Sequence, residues 1–273
     1  MAILARIETK SLLTKTGGYL HGYTHSLNPY AGCSFACSYC YVRRMPVALF
    51  REEPWGTWVD AKINAADRLR KELGKARREG PVLLFMSSAT DPYQPAEYRE
   101  MITRGVLEVL AEDPPDFVFV QTRSPLIVRD IDLLRRLDGR LLISITVETD
   151  LEPIRRAFAP SAPPLSSRWK AMERLRDAGL PVQAAVAPVL PHTERFAKSL
   201  AAHADAVCID DFSGDGSGGR RTRELNVRSI LERVGMPDWN EKDAAERLAE
   251  QLRRHFPLEK IRTGRSGFMP IRS

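Results

Sequence analysis

Short apolar runs alternate with amphipathic stretches along most of this chain, and that alternation limits its fold more than any other feature. The runs cover residues 81–86, 117–120, 141–145, 182–186 and 206–209. Such near-continuous apolar segments suit parallel strands buried on both faces. A first strand is predicted around residues 26–30, before a loop rich in cysteine. Between the runs, residues 60–78 carry Ile63, Ala66, Leu69 and Leu73 at helical spacing, and residues 98–111 carry Ile102, Val106, Leu107 and Leu110. Further helices are predicted over 131–137, 167–178 and 194–204; the second has a Ser166 or Ser167 cap and ends at Gly179. Parallel strands joined by helices form right-handed βα units. About six repeats predict an α/β protein with a partial (β/α)6 TIM-like barrel, open on one side. In such barrels the chemistry sits at the C-terminal ends of the strands.

The last quarter breaks the pattern. Residues 210–219 are rich in Gly, Asp and Ser, and two polar helices are predicted over 223–234 and 241–255, split by Gly235-Met236-Pro237. They form a C-terminal helical extension that packs across the barrel or covers its mouth. The predicted organisation is an N-terminal extension over 1–20, a barrel over 21–211, and the glycine-rich loop with its helices over 212–273.

Chemistry concentrates in the loop after the first strand. Cys33, Cys37 and Cys40 are spaced C-x3-C-x2-C in a segment of small and aromatic residues running from Asn28 to Tyr41. Three thiolates so placed can ligate three irons of a four-iron cluster and leave the fourth open. Two other metal sites compete with this reading. Zinc would need His21 and His25 to complete its ligands. A cluster with Cys208 as a fourth ligand would be an electron carrier.

The chain has four cysteines, three of them crowded together, and its N-terminus alternates apolar and charged residues without the long apolar core of a signal peptide. No apolar run reaches the roughly 18 residues of a membrane span. These features predict a reduced, cytoplasmic metal protein. Net charge is +6, from 41 basic and 35 acidic residues. Basic clusters occur at Arg43-Arg44, Arg77-Arg78, Arg220-Arg221 with Arg223, and Arg253-Arg254. The third, beside the glycine-rich loop, is the best candidate for phosphate contacts; a mildly basic enzyme with solvated helix faces is the plainer alternative.

With cysteine spacing, loop position and repeat architecture in agreement, the chain resembles the radical S-adenosylmethionine (SAM) superfamily. Over residues 20–210 it resembles the spore photoproduct lyase-like branch, often labelled DNA repair photolyase-related. Residues 28–41, 87–97, 121–124, 128–134, 144–146 and 186–191 carry the likeness, together with Thr103-Arg104. The resemblance implies a [4Fe-4S] cluster on Cys33, Cys37 and Cys40, with SAM chelated at the open iron and cleaved to a 5′-deoxyadenosyl radical. It implies a SAM ammonium contact at Thr90 and Asp91, for which an Asx-turn before Pro92 is the structural alternative. Arg123, where the family often has lysine, would pair with the SAM carboxylate; a surface ion pair is its alternative. Ser144 would touch the SAM ribose or carboxylate, or else bond to backbone. Val186, with Ala187 and Pro188, would wall the adenine. Tyr39 and Tyr41 would pack the cluster and adenine or relay hydrogen.

A flavodoxin- or ferredoxin-like electron donor and a nucleic-acid substrate follow from the same likeness. One departure is plain: spore photoproduct lyases place a hydrogen-donating cysteine where this chain has Ala89. The branch is therefore carried over without that specific activity. A non-catalytic, metal-containing nucleic-acid binding module and a small-molecule radical enzyme or maturase are the other readings.

Overall fold

Most of the predicted strands lie side by side in one open sheet. A computed structural model describes residues 2–210, 225, 227–239 and 241–271. Its strands, in chain order, are β1 (Ile3–Ile7), β2 (Leu13–Lys15), β3 (His25–Leu27), β4 (Tyr30–Ala31), β5 (Trp58–Lys62), β6 (Leu83–Met86), β7 (Phe117–Thr122), β8 (Leu141–Thr146), β9 (Val182–Val186), β10 (Ala206–Ile209) and β11 (Ile261–Thr263). The large sheet runs β11-β10-β9-β8-β7-β6-β3-β2. All its neighbours are parallel except the β2–β3 pair. β3 and β6 to β10 are the six expected barrel strands. The edge strands β2 and β11 do not pair with each other, so the barrel is partial.

Burial on both faces explains why the strands read as apolar runs. Every residue of β8, β9 and β10 is buried. Alternate residues serve different cores. Leu84, Met86, Val118, Val120, Ile143 and Ile145 pack outward under the helices. Phe85, Phe117, Phe119, Leu142 and Cys208 pack in a separate cluster with Tyr23 and Phe268. Phe85 and Phe119 stack there with ring centres 4.9 Å apart.

Several boundaries differ from the sequence reading. The helix predicted from Asp60 is Ala65–Glu79, because Trp58–Lys62 is strand β5. β5 pairs in parallel with β1 and antiparallel with β4, forming a second, three-stranded sheet that the reading did not anticipate. Ile63, assigned to a helical apolar face, is half exposed at 50%. The helix over 98–111 is divided at Met101, whose φ of 52° separates Glu97–Glu100 from Ile102–Glu112. The helix Leu165–Asp177 starts after Pro164 without a side-chain cap, and Ser167 Oγ instead donates to the Pro164 carbonyl at 2.7 Å.

The C-terminal region is more than helical. Helices Arg228–Arg233 and Glu241–Leu252 are present, but the chain then adds β11 to the sheet beside β10. Residues 264–268 follow as a tight 3-10 turn whose Phe268 packs against Tyr19 and Phe119. The glycine-rich loop after Asp210 and the Arg220, Arg221 and Arg223 cluster lie outside the described residues.

Candidate active site

The chain leaves β4 into the cysteine loop at Gly32, whose φ of 77° suits glycine. A Cβ there would lie 2.5 Å from the Trp58 carbonyl oxygen and 2.6 Å from its ring, so loop and β5 meet without room for a side chain. Ala36, between Cys33 and Cys37, is also left-handed, at φ 52°. Arg43 fastens the far side: its Nε donates to the Cys37 carbonyl at 3.0 Å and its Nη2 to the Ala36 carbonyl at 2.6 Å.

Gln94 fastens the near side. It is fully buried. Its Nε2 donates to the Gly32 carbonyl (3.2 Å) and to Thr90 Oγ1 (3.1 Å), while its Oε1 accepts the Ser34 backbone N–H at 3.0 Å. Thr90 Oγ1 itself donates to the Gly32 carbonyl. The segment after β6 thus grips the backbone on both sides of Cys33. The sequence alone assigns Gln94 no role, since an amide in a Pro-rich loop gives no sign of what it bonds.

All three cysteines line one cavity of about 470 Å³ at the C-terminal ends of the barrel strands. Cys37 is buried; Cys33 and Cys40 are partly so. Burial pushes the Cys40 thiol up to about 11 and raises Cys33 and Cys37 too, with Asp91 and the neighbouring thiols adding to the effect on Cys33. Without a cation such thiols stay neutral; a coordinated metal deprotonates them outright.

The competing metal sites do not form. His25 stands at the start of β3, beside Lys15, at the other end of the strand from the loop. His21 is exposed, and neither histidine is on the cavity wall. Cys208 is fully buried among Phe85, Phe119 and Leu142. Among the described residues no three cysteine, histidine or carboxylate side chains converge as ligands of a single ion. The donor set suits a cluster, which asks for one thiolate on each of three irons rather than three on one.

The remaining wall is partly polar. Ser87, Gln121 and Trp55 line it, and each also carries a polar atom (Oγ, Oε1 and Nε1) buried behind the wall without a hydrogen-bond partner among the described residues. Ser87 also adopts φ 73°. Such a left-handed non-glycine residue beside a cavity is a feature often met at functional sites.

The residues named from the resemblance fall in two groups, on the cavity wall and off it. Thr90, Asp91, Arg123, Tyr39 and Tyr41 are on the wall. Asp91 is already engaged: Oδ1 accepts from Thr122 Oγ1 (2.6 Å) and the Tyr93 N–H (2.9 Å), and Oδ2 accepts the Arg123 N–H at 2.9 Å. The Tyr93 bond is the Asx-turn alternative, and the others clamp the end of β7. Burial pushes the Asp91 carboxyl up, and these donors oppose it. The Tyr41 hydroxyl donates to the Ser88 carbonyl. Ser144 and Val186 are fully buried and not among the wall residues. Ser144 Oγ meets Gln183 Nε2 at 3.4 Å. Ala187 and Pro188 do reach the wall. So do Tyr19 and Phe268, from the two ends of the chain, which the sequence reading did not place there.

A sequence model of the radical SAM superfamily matches residues 27–200. An uncharacterized protein of Methanocaldococcus jannaschii is 27% identical over 188 residues, 69% of this chain and 68% of its own. One from Acidianus two-tailed virus is 32% identical over 173 residues, 61% of this chain and 56% of its own. One from Mycobacterium bovis is 32% identical over 177 residues, 62% of this chain and 50% of its own. The chain thus spans about half the length of the viral and mycobacterial relatives. Among solved structures, spore photoproduct lyase complexed with dinucleoside spore photoproduct aligns with a TM-score of 0.67 at 14% identity, over 95% of this chain and 81% of that one. SuiB of Streptococcus suis bound to precursor peptide SuiA aligns with a TM-score of 0.56 at 13% identity, over 87% of this chain and 48% of that one. At these identities the likeness is one of fold.

Proposed function

The chain belongs to the radical SAM superfamily, and we propose that Cys33, Cys37 and Cys40 hold a [4Fe-4S] cluster and that SAM occupies the adjoining cavity. The observation that carries this reading is that the three cysteines line one cavity together with Arg123. When bound, the cluster supplies the electron that splits the SAM sulfonium into methionine and a 5′-deoxyadenosyl radical. The chain's own residues bind and orient. Arg123, with Nε and Nη2 unused among the described residues, takes the SAM carboxylate. Asp91 and Thr90 hold the wall in shape through the bonds they already make, and Ala187 and Pro188, rather than Val186, give the apolar surface for adenine. Tyr39 and Tyr41 pack the loop. The reductant is a flavodoxin- or ferredoxin-like protein.

Protein reconstituted with iron and sulfide under anaerobic conditions, given SAM and dithionite, is expected to form 5′-deoxyadenosine. Chromatography of the quenched mixture checks it. Bound zinc without iron, or a full cluster without cleavage, would remove this reading.

For the substrate we propose a nucleic acid, supported by the net charge of +6 and by the fold shared with a lyase complexed with a dinucleoside. The reaction differs from that lyase's thiol-quenched one: Ala89 replaces the donor position, and Cys208 is packed away from the cavity. Binding to DNA or RNA is expected to weaken at least about tenfold between 50 and 200 mM salt, as phosphate contacts require. Titrations at the two salt concentrations check it, and equal affinities would exclude a phosphate-binding face.

A further inference from the structure

Behind Tyr39 and Arg123 runs a chain of buried charges that the binding reading leaves unused. Arg168, on the helix Leu165–Asp177, has a fully buried side chain. Its Nη1 donates to Glu148 Oε2 at 2.8 Å and to the Thr146 carbonyl at 2.9 Å, and its Nε donates to the Pro163 carbonyl at 3.1 Å. Glu148, two residues beyond the end of β8, is 1% exposed. Its Oε1 accepts Arg123 Nη1 at 2.6 Å and the Tyr39 hydroxyl. Arg123 Nη1 also donates to the Tyr39 oxygen at 2.7 Å. Tyr39 is the residue between Cys37 and Cys40 that joins this chain to the loop.

The three charges sum to +1. Burial pushes the Glu148 carboxyl up, but Arg123 and Arg168 outweigh it and hold it at about 2, so it stays ionised. Arg123 shares the cavity wall with the three cysteines, and both it and Glu148 bond to Tyr39 within the cysteine loop. Taking three charges out of water is costly, and a buried Arg–Glu–Arg set is often no more stabilising than an apolar one of similar volume. The arrangement therefore needs a reason other than stability. Reduction adds one negative charge to a cluster, so fixed charges nearby, little screened at such depth, set how readily it accepts the electron.

We propose that the Arg168–Glu148–Arg123 chain sets the reduction potential of a cluster held by the cysteine loop, with Glu148 as the positioning residue that fixes Arg123 beside it. This rests on the cluster reading above. Glu148 has no counterpart in the sequence expectations, and neither it nor Arg168 is on the cavity wall.

The test is an EPR-monitored redox titration of reconstituted full-length protein without SAM. Glu148→Gln, near-isosteric, removes the negative charge and is expected to raise the midpoint potential. Arg168→Met removes a positive charge and is expected to lower it. Arg168→Lys keeps the charge and is expected to stay near wild type. If Arg168→Met does not fold, Arg123→Gln, at the better-hydrated end of the chain, tests the same downward shift. Opposite shifts support the proposal, because simple loosening of the loop would move both potentials the same way. Potentials that do not move, or that move together, overturn it while leaving the wild-type cluster intact. A wild-type protein that assembles no four-iron cluster takes down both this proposal and the reading beneath it.

Discussion

Cys37→Ala is expected to abolish 5′-deoxyadenosine formation, on the order of a thousandfold or more, equivalent to about 4 kcal/mol of lost transition-state stabilisation. Cys37 is the most buried of the three loop thiols, at 5% exposure, and has Cys33 and Cys40 on either side in the chain. Its removal leaves a second iron without a protein ligand, in a place that solvent reaches poorly. The loop itself does not depend on the thiol. Its backbone is held by Arg43 at the Ala36 and Cys37 carbonyls, by Gln94 at Gly32 and Ser34, and by the Ser38 N–H, which donates to the Phe158 carbonyl at 2.9 Å. The variant should therefore unfold near the temperature of the metal-free wild type, and it should fail to retain iron. Cys208→Ala is the informative contrast. Its sulfur lies in the aromatic core, so stability falls by about 1 kcal/mol as a small cavity opens, while cluster content and product formation persist. Iron and sulfide content, thermal unfolding and product formation, measured on both variants, check the pair. Undiminished product from Cys37→Ala would disprove the ligand assignment, and loss of the cluster in Cys208→Ala would bring the fourth cysteine into the site.

What the sequence made legible and what it hid divide along a physical line. β6 to β10 are buried on both faces, so each writes a continuous apolar run that no exposed segment imitates. The cysteine spacing is local and survives any arrangement of the rest. β1, β5 and β11 left no such mark. β1 and β11 are edge strands with mixed sequences and no buried residue, Ile3–Ile7 and Ile261–Thr263, and β5 runs straight into a helix whose periodicity overlaps it. The polar residues that organise the site were hidden for another reason. Gln94 meets residues about 60 positions away and Glu148 meets Tyr39 across 109. A charged side chain just beyond a strand reads as solvent-facing until two arginines are found against it. Arg168 sits on a helix whose neighbouring Ser166, Ser167 and Lys170 are polar, and only the tertiary structure turns it inward. For Asp91 the sequence offers the Asx-turn to Tyr93, which forms, but not the bonds from Thr122 and Arg123, which come from the end of the next strand.

Gly267→Ala is expected to cost about 3 kcal/mol, the upper end for overpacking a filled core, and to lower the melting temperature by roughly 10 °C. A Cβ at Gly267 would lie 2.0 Å from Cys208 Sγ and 2.6 Å from its Cβ, with the Cα at 3.4 Å. Cys208 cannot yield easily. It is fully buried on β10, between β9 and β11 in the sheet. The tail must move instead. In moving it would strain the bond from Gln183 Nε2 to the Gly267 carbonyl, now 2.9 Å, and lift Phe268 from Tyr19 and Phe119. Pairing the substitution with Cys208→Gly removes both clashing atoms. The double variant should be less destabilised than the two single costs together predict, by at least about 1 kcal/mol in a double-mutant cycle. Denaturant unfolding of the four proteins measures it. Full stability in Gly267→Ala would mean that the tail is not seated against β10. A favourable coupling would establish that the turn after β11 is seated directly against Cys208 of β10.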